Sequence, residues 1–452
     1  LANGVELLAF AGMFRSDGQT LSFPGLGTAV GADGERYDRQ FAKLTAGDWT
    51  LQAGRSWRLK QIPTGSFQTT FNDPRARTTD AYSTAFLRYA HGFASLASIE
   101  ATVSYDAYTY RGRYPYAAGL TTDYALGRSW SLDAQYVRLV GGSHRVVAGV
   151  SAQLNTKQDQ GGDNVDSGSV IFRSHRASQV AAVFAQDQWR LASAVQATVG
   201  LRYDHYDTFG GTLNPRLAVV YNLPRAGTLK LLYGRAFRAP NAYEMDYQDG
   251  GLSTKAATGL KPERMESYEA VFEGRPFSRV RVTATGFVLN LSELITQVVD
   301  PADSLLVYRN LGRAHSQGVE LEAEFRAQGG VEAGASVTFQ HVTDPTTRAE
   351  LPTAPHAVAT ARFSAPVAGD VLRASLSARY VGAQRSVMGA AVGASTVADV
   401  ALLGAVTERA TAALGVYNAF DARYSDPAGS DQVATAIPQN RRNVRLTVQV
   451  TF

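Results

Sequence analysis

The stretch Asn443-Val444-Arg445-Leu446-Thr447-Val448-Gln449-Val450-Thr451-Phe452 puts an apolar residue at every second position, with Asn, Arg, Thr, Gln and Thr between them. A strand alternates its side chains across a sheet, so this one has an apolar face and a polar face. At strand rise its length also suits a tilted crossing of a bilayer's hydrocarbon layer, which takes about 9–11 residues. A strand of a soluble sandwich alternates in the same way, so the stretch by itself leaves both readings open. The rest of the chain decides between them.

The same design recurs upstream. Val195, Ala197, Val199, Leu201 and Tyr203 share one face, against Gln196, Thr198, Gly200, Arg202 and Asp204 on the other. Before the turn at Gly329-Gly330, Val319, Leu321, Ala323 and Phe325 oppose Glu320, Glu322, Glu324 and Arg326. Reading the whole chain this way predicts about 20 strands, among them 5–14, 97–108, 125–138, 144–155, 330–342 and 442–452. Their connections alternate. Short ones fall near 47, 91–96, 139–143 and 328–329, and long ones near 58–78, 109–124, 156–174, 238–262 and 343–353. Short turns on one rim and long loops on the other predict an all-β, antiparallel, up-and-down transmembrane barrel. A β-propeller would show a fixed-period motif in each blade, and no such mark recurs.

Composition agrees. Apolar residues make up 45% of the 452, yet no run reaches the roughly 18 needed for a membrane helix. Tyr (21) and Phe (20) are plentiful, as aromatic girdles require, and Cys is absent, which removes disulfide and thiol chemistry. The formal charge of +4 is small, and Lys and Arg are scattered rather than clustered, so no nucleic-acid partner is expected. Leu1-Ala2-Asn3-Gly4-Val5 offers neither a basic leader nor a cleavage site.

Several stretches together resemble the TonB-dependent outer-membrane receptors for cobalamin, ferric siderophores and colicins. They are Asn214-Pro215-Arg216-Leu217, Leu232-Tyr233-Gly234-Arg235-Ala236-Phe237-Arg238-Ala239-Pro240-Asn241 and Leu260-Lys261-Pro262-Glu263. Arg309-Asn310-Leu311 leading to Gly318-Val319-Glu320-Leu321-Glu322, Tyr417-Asn418-Ala419-Phe420-Asp421-Ala422-Arg423-Tyr424 and the terminal Phe452 complete the set. The resemblance implies a bacterial outer-membrane barrel of 22 strands around a plug. It therefore predicts that 1–452 is a transmembrane barrel domain preceded in the family pattern by a plug and two further strands. It implies a monomer set in outer-membrane lipid and lipopolysaccharide. It also implies energy-coupled uptake of a bulky, scarce nutrient such as a ferric siderophore or cobalamin, driven by an inner-membrane TonB complex. A passive diffusion porin is the alternative.

No enzyme is expected. The chain lacks a Gly-x-Ser-x-Gly elbow, a phosphate-binding Gly-rich loop and a His-Glu-x-x-His motif, so no catalytic residue and no cofactor is assigned. The seven His residues are scattered singly, which predicts no metal ligand among them. Asp159, Asp163 and Asp166 offer oxygen ligands for Ca²⁺, but their spacing misses the EF-hand pattern and predicts a solvated loop. Loop aromatics are the stronger candidates. Phe67, Phe71, Tyr114, Tyr116, Tyr243 and Tyr247 fall in predicted outer loops, where an apolar body with a polar tip suits a bulky ligand. Loop-on-loop packing and the interfacial girdle are the competing uses of those rings. Under the resemblance, Arg235, Arg238 and Glu320 are plug-facing positions of the barrel lumen.

Overall fold

A computed structural model describes residues 4–369 and 371–451, so the expected terminal Phe452 lies outside the described residues. Strands come one for one with the alternating segments. They are β1 (Val5–Ser16), β2 (Glu35–Ala46), β3 (Trp49–Gln61), β4 (Arg77–Phe93), β5 (Ala97–Tyr116), β6 (Gly119–Val140) and β7 (His144–Asn164). Next follow β8 (Ser178–Ala192), β9 (Val195–Tyr206), β10 (Gly210–Leu223), β11 (Gly227–Arg238), β12 (Glu263–Phe277) and β13 (Val280–Val299). The last are β14 (Leu306–Arg326), β15 (Glu332–Thr343), β16 (Ala357–Ala368), β17 (Leu372–Val381), β18 (Ser395–Thr407), β19 (Ala410–Tyr417) and β20 (Asn443–Val450). With the short strand Val170–Ser174 they belong to one 21-stranded antiparallel sheet. The chain divides into two compact units. One holds Leu1–Ala218, Gly234–Glu266 and Leu291–Arg313, and the other Val219–Tyr233, Ser267–Asn290 and Ala314–Phe452.

Within the first unit the register aligns the apolar positions level by level. Leu7 pairs Leu44, Leu44 pairs Leu51, Leu51 pairs Leu87, Leu87 pairs Val103, and Val103 pairs Leu132. Directly opposite residues share a face, so these side chains form a continuous apolar row across six strands. All six side chains are exposed. A contiguous apolar surface of this extent is what lipid contact requires. Trp49 against Tyr89 (4.7 Å) and Tyr105 against Trp130 (4.9 Å) bracket the row on the same face, as two interfacial girdles. One step along each strand the opposite face is polar: Thr45, Thr50, Arg88, Thr102 and Asp133 are paired in turn. Arg88 is ion-paired there with Glu100 at 2.7 Å.

The second unit repeats the arrangement. Phe363, Leu376, Val400, Val416 and Val444 are paired successively from β16 to β20, and Leu402, Leu414 and Leu446 form the next row. The short turns are tight. At Gly47-Asp48 the backbone runs at φ 54°, a left-handed conformation that costs a glycine nothing.

The long connections differ from the sequence reading. β5, β6 and β7 run for 20, 22 and 21 residues, about twice what crosses a membrane. The expected loop 109–124 is therefore a continued hairpin, closed by Ala117-Ala118 with Tyr116 paired to Gly119. Beyond the hydrocarbon layer neither face meets lipid, so the apolar alternation that marks a strand fades although the pairing goes on. Val170–Ser174 extends the same sheet by pairing with the end of β7. Leu306, Val307 and Tyr308 open β14 directly out of the preceding long connection.

Candidate functional site

The extended ends of β5, β6 and β7 carry the site. Their register places Gly112 opposite Asp123, Asp123 opposite Gly162, and Gly162 opposite Phe172. These four residues form a level row on the polar face, with Tyr110 and Tyr114 two positions to either side of Gly112. The glycines make room for rings. A Cβ on Gly112 would collide with the Tyr114 ring and stand 2.7 Å from Tyr110 Oη. Tyr110 and Tyr114 hydroxyls are hydrogen-bonded to each other, and Phe67 meets the Tyr114 ring edge-on at 5.8 Å.

The 239–262 loop closes over this row because it contains its own helix start. Asn241 accepts the Glu244 N–H, and the Glu244 carboxylate accepts the Asn241 N–H, a capping box that opens the one-turn helix Ala242–Asp246. Gln160 Nε2 donates to Ala242 O at 2.8 Å, and Arg176 donates to both Asp246 oxygens at 2.6 and 2.5 Å. Anchored so, Tyr247 sits edge-on to Phe172 at 5.3 Å and stacks on Tyr243 at 4.4 Å. Tyr308 meets Tyr243 from β14 at 6.2 Å.

Asp123 is the fifth residue of β6, close to the hairpin tip and well outside the membrane-crossing part of the strand. Burial, and then the charge of Asp163, push its carboxyl up to about 6. Asp163 itself is paired with Arg173 at 2.5 Å. Among the described residues no cation or hydrogen-bond donor is paired with Asp123. The phenols of Tyr114, Tyr116, Tyr243 and Tyr247 are raised by burial first and by the Asp123 charge among the further causes, Tyr114 to about 12. At neutral pH they are therefore uncharged and offer hydroxyls and ring faces. In the covering loop Arg238 is ion-paired with Glu244 and Glu263, and Lys255 with Asp300 and Asp303.

Four of the six aromatic candidates thus gather around Asp123, a residue that no pattern in the chain singles out. Phe67 supports Tyr114 from the side, whereas Phe71 packs on Phe23 at 5.7 Å as part of its own loop. Tyr114 and Tyr116 are strand residues, contrary to the loop reading. Tyr114 is buried, while Tyr243 remains 44% exposed and free to meet a ligand. β11 is unbroken, so Arg235 shares the face of Leu231 and Tyr233, and Arg238 lies on the other. Glu320 lies on the polar face of β14, opposite Thr338.

Asp159, Asp163 and Asp166 do not converge, and the first two lie on β7 rather than in a loop. Asp159 faces His175, Asp163 faces Arg173, and Asp166 accepts the Leu120 N–H. Histidines behave otherwise than the sequence implies: His341 and His356 stand together with Glu350, their ligand atoms within 4.8 Å of one another. Two motif asparagines act as backbone staples. Asn310 holds Lys261 N and O and Glu293 O, and Asn418 holds Ala422 N and O and Asn440 O.

A family model described as TonB-dependent receptor-like, β-barrel, matches residues 9–419. The iron-regulated outer membrane virulence protein of Vibrio cholerae is 27% identical over 215 residues, 44% of this chain and 32% of that protein. The vitamin B12 transporter BtuB of the same species is 27% identical over 267 residues, 57% of this chain and 40% of that protein. The chain thus covers less than half the length of these relatives. Among solved structures, the copper transporter OprC superposes with a TM-score of 0.80 at 16% identity, covering 99% of this chain and 76% of that one. With a match along nearly its whole length, the chain belongs to the TonB-dependent receptor family of bacterial outer-membrane β-barrels.

Proposed function

We propose that this chain is the barrel of an outer-membrane receptor that takes up a bulky, scarce nutrient by energy-coupled transport. Residues 1–452 then form one transmembrane barrel domain, monomeric and set in outer-membrane lipid and lipopolysaccharide. Its energy comes from an inner-membrane TonB complex. The observation that carries the reading is the aromatic cluster around Asp123, held beyond the membrane on strands about twice the needed length. Tyr243, Tyr247 and Tyr116 present ring faces and hydroxyls to the ligand, and Asp123 favours a ligand group that donates hydrogen bonds. Relatives named for vitamin B12 transport and ferric enterobactin reception support cobalamin or a ferric siderophore as the class of cargo. Glu320 is retained as a lumen position near the plug of the family pattern.

The test is accumulation of labelled cobalamin or ferric siderophore by cells that lack their own receptors and express the protein from its own gene. Uptake should vanish when a protonophore collapses the proton gradient. It should fall at least about tenfold in a Tyr243→Ala/Tyr247→Ala variant, as the loss of roughly 1.4 kcal/mol or more of contact energy implies. Gradient-independent leakage of small solutes would instead identify a porin.

A further inference from the structure

We propose that His341, Glu350 and His356 form a binding site for a divalent transition-metal ion of the zinc and copper class, on the long connection between β15 and β16. The site lies in the second unit and is independent of the tyrosine cluster. Local backbone bonding explains why residues 15 positions apart meet. His341 is two residues from the end of β15. The Asp344 carboxylate accepts the Thr346 and Thr347 N–H groups, and Arg348 N–H donates to Asp344 O, which turns the chain back at once. Glu350 then forms an antiparallel bridge with Thr343, and Leu351 N–H donates to Val342 O at 3.0 Å. Gln340 fastens the returning chain twice, through its N–H to His356 O and its Nε2 to Pro355 O.

The donor set follows from that frame. His341 Nδ1 stands 3.8 Å from Glu350 Oε1, and His356 Nε2 stands 3.3 Å from Glu350 Oε2. The imidazoles are nearly parallel, 24° apart with centroids at 5.7 Å, and each turns one nitrogen toward the carboxylate. Zinc bonds nitrogen at about 2.0–2.1 Å, which puts tetrahedral ligand atoms about 3.3 Å apart. One spacing is already there, and small torsions of exposed side chains supply the rest. Two imidazoles and one carboxylate also make up the ligand set of open zinc sites in which water completes the coordination. Imidazole nitrogen selects copper, zinc or nickel over the oxygen-seeking calcium and magnesium. The alternative role, two protonated imidazoles sharing one carboxylate, is an exposed ion cluster that stabilises a fold very little.

The experiment uses the protein expressed from its own gene without a histidine tag, purified in detergent and stripped with chelator. Calorimetric titration with Zn²⁺, Cu²⁺, Ca²⁺ and Mg²⁺ should show one equivalent of Zn²⁺ or Cu²⁺ and no heat for Ca²⁺ or Mg²⁺. The Cu²⁺ form should give electron-spin splittings from two imidazole nitrogens. His341→Ala and His356→Ala should each weaken binding at least about tenfold, and Glu350→Gln measurably, with heat-modifiable gel mobility unchanged to certify the folded barrel. Absence of Cu²⁺ binding, or equal binding by a folded His341→Ala/His356→Ala double variant, would overturn the assignment.

Discussion

Asp123 and Gly162 stand directly opposite each other on β6 and β7, and a Cβ on Gly162 would lie 2.9 Å from Asp123 Oδ1 and 3.2 Å from the Phe172 ring. The aromatic cluster thus exists because two strand positions carry no side chain. Gly112→Val and Gly162→Val should each disturb the cluster, at about 1–3 kcal/mol for overpacking. The damage should stay outside the membrane: protease should cut faster within 110–125 and 239–262, while heat-modifiable mobility of the barrel is unchanged. Equal protection in the variants would show that the rings do not depend on this gap.

Protonation of Asp123 should set the order of the same region. Its carboxyl is pushed up to about 6 by burial and by Asp163, against an ordinary 3.8, so the closed form binds the proton more tightly than the opened one. Closure is therefore favoured fully below about pH 4, and that advantage is lost as the pH rises through 6. At about 1.4 kcal/mol per pKa unit the change is on the order of 3 kcal/mol. Hydrogen exchange of the 119–125 amides, corrected for intrinsic rates, should accelerate between pH 4 and pH 7 in the wild type. In Asp123→Asn the dependence should flatten, and an unchanged profile would refute the role of this carboxyl.

The clamp between Arg176 and Asp246 should hold the helix Ala242–Asp246 in place. Both side chains are largely buried and joined by two charge-assisted hydrogen bonds. Arg176→Ala should cost about 1.5–3 kcal/mol, the usual worth of hydrogen bonds to charged groups. Because Tyr243 and Tyr247 ride on that segment, ligand affinity should fall with loop protection. A variant that loses neither would remove the clamp from the account.

Sidedness can be tested on β20. Leu446 is paired to Leu414 on the apolar face, and Thr447 to Ala413 on the polar one. Leu446→Arg should destabilise the folded barrel by about 2–4 kcal/mol near mid-membrane, and Thr447→Arg should be tolerated. Refolding yield judged by heat-modifiable mobility separates the two. Equal loss in both would reverse the assigned faces.

What the sequence by itself determined is the membrane-crossing part. Lipid on one face and a polar interior on the other force a period of two, so Val195–Tyr203 and Val444–Val450 are legible without any partner strand. The family motifs were legible too, and they include Asn310 and Asn418, whose side-chain amides each bond both backbone N–H and C=O groups of neighbouring segments. The outer ends of β5, β6 and β7 were not, because above the bilayer no solvent difference imposes alternation. Only register brings Gly112, Asp123, Gly162 and Phe172 into one row, from positions up to 60 apart. Only the tight return at Asp344 brings His341, Glu350 and His356 together. Strand pairing and loop closure are long-range events whose outcome depends on which backbone groups find each other, and residue identity along the chain does not encode that locally.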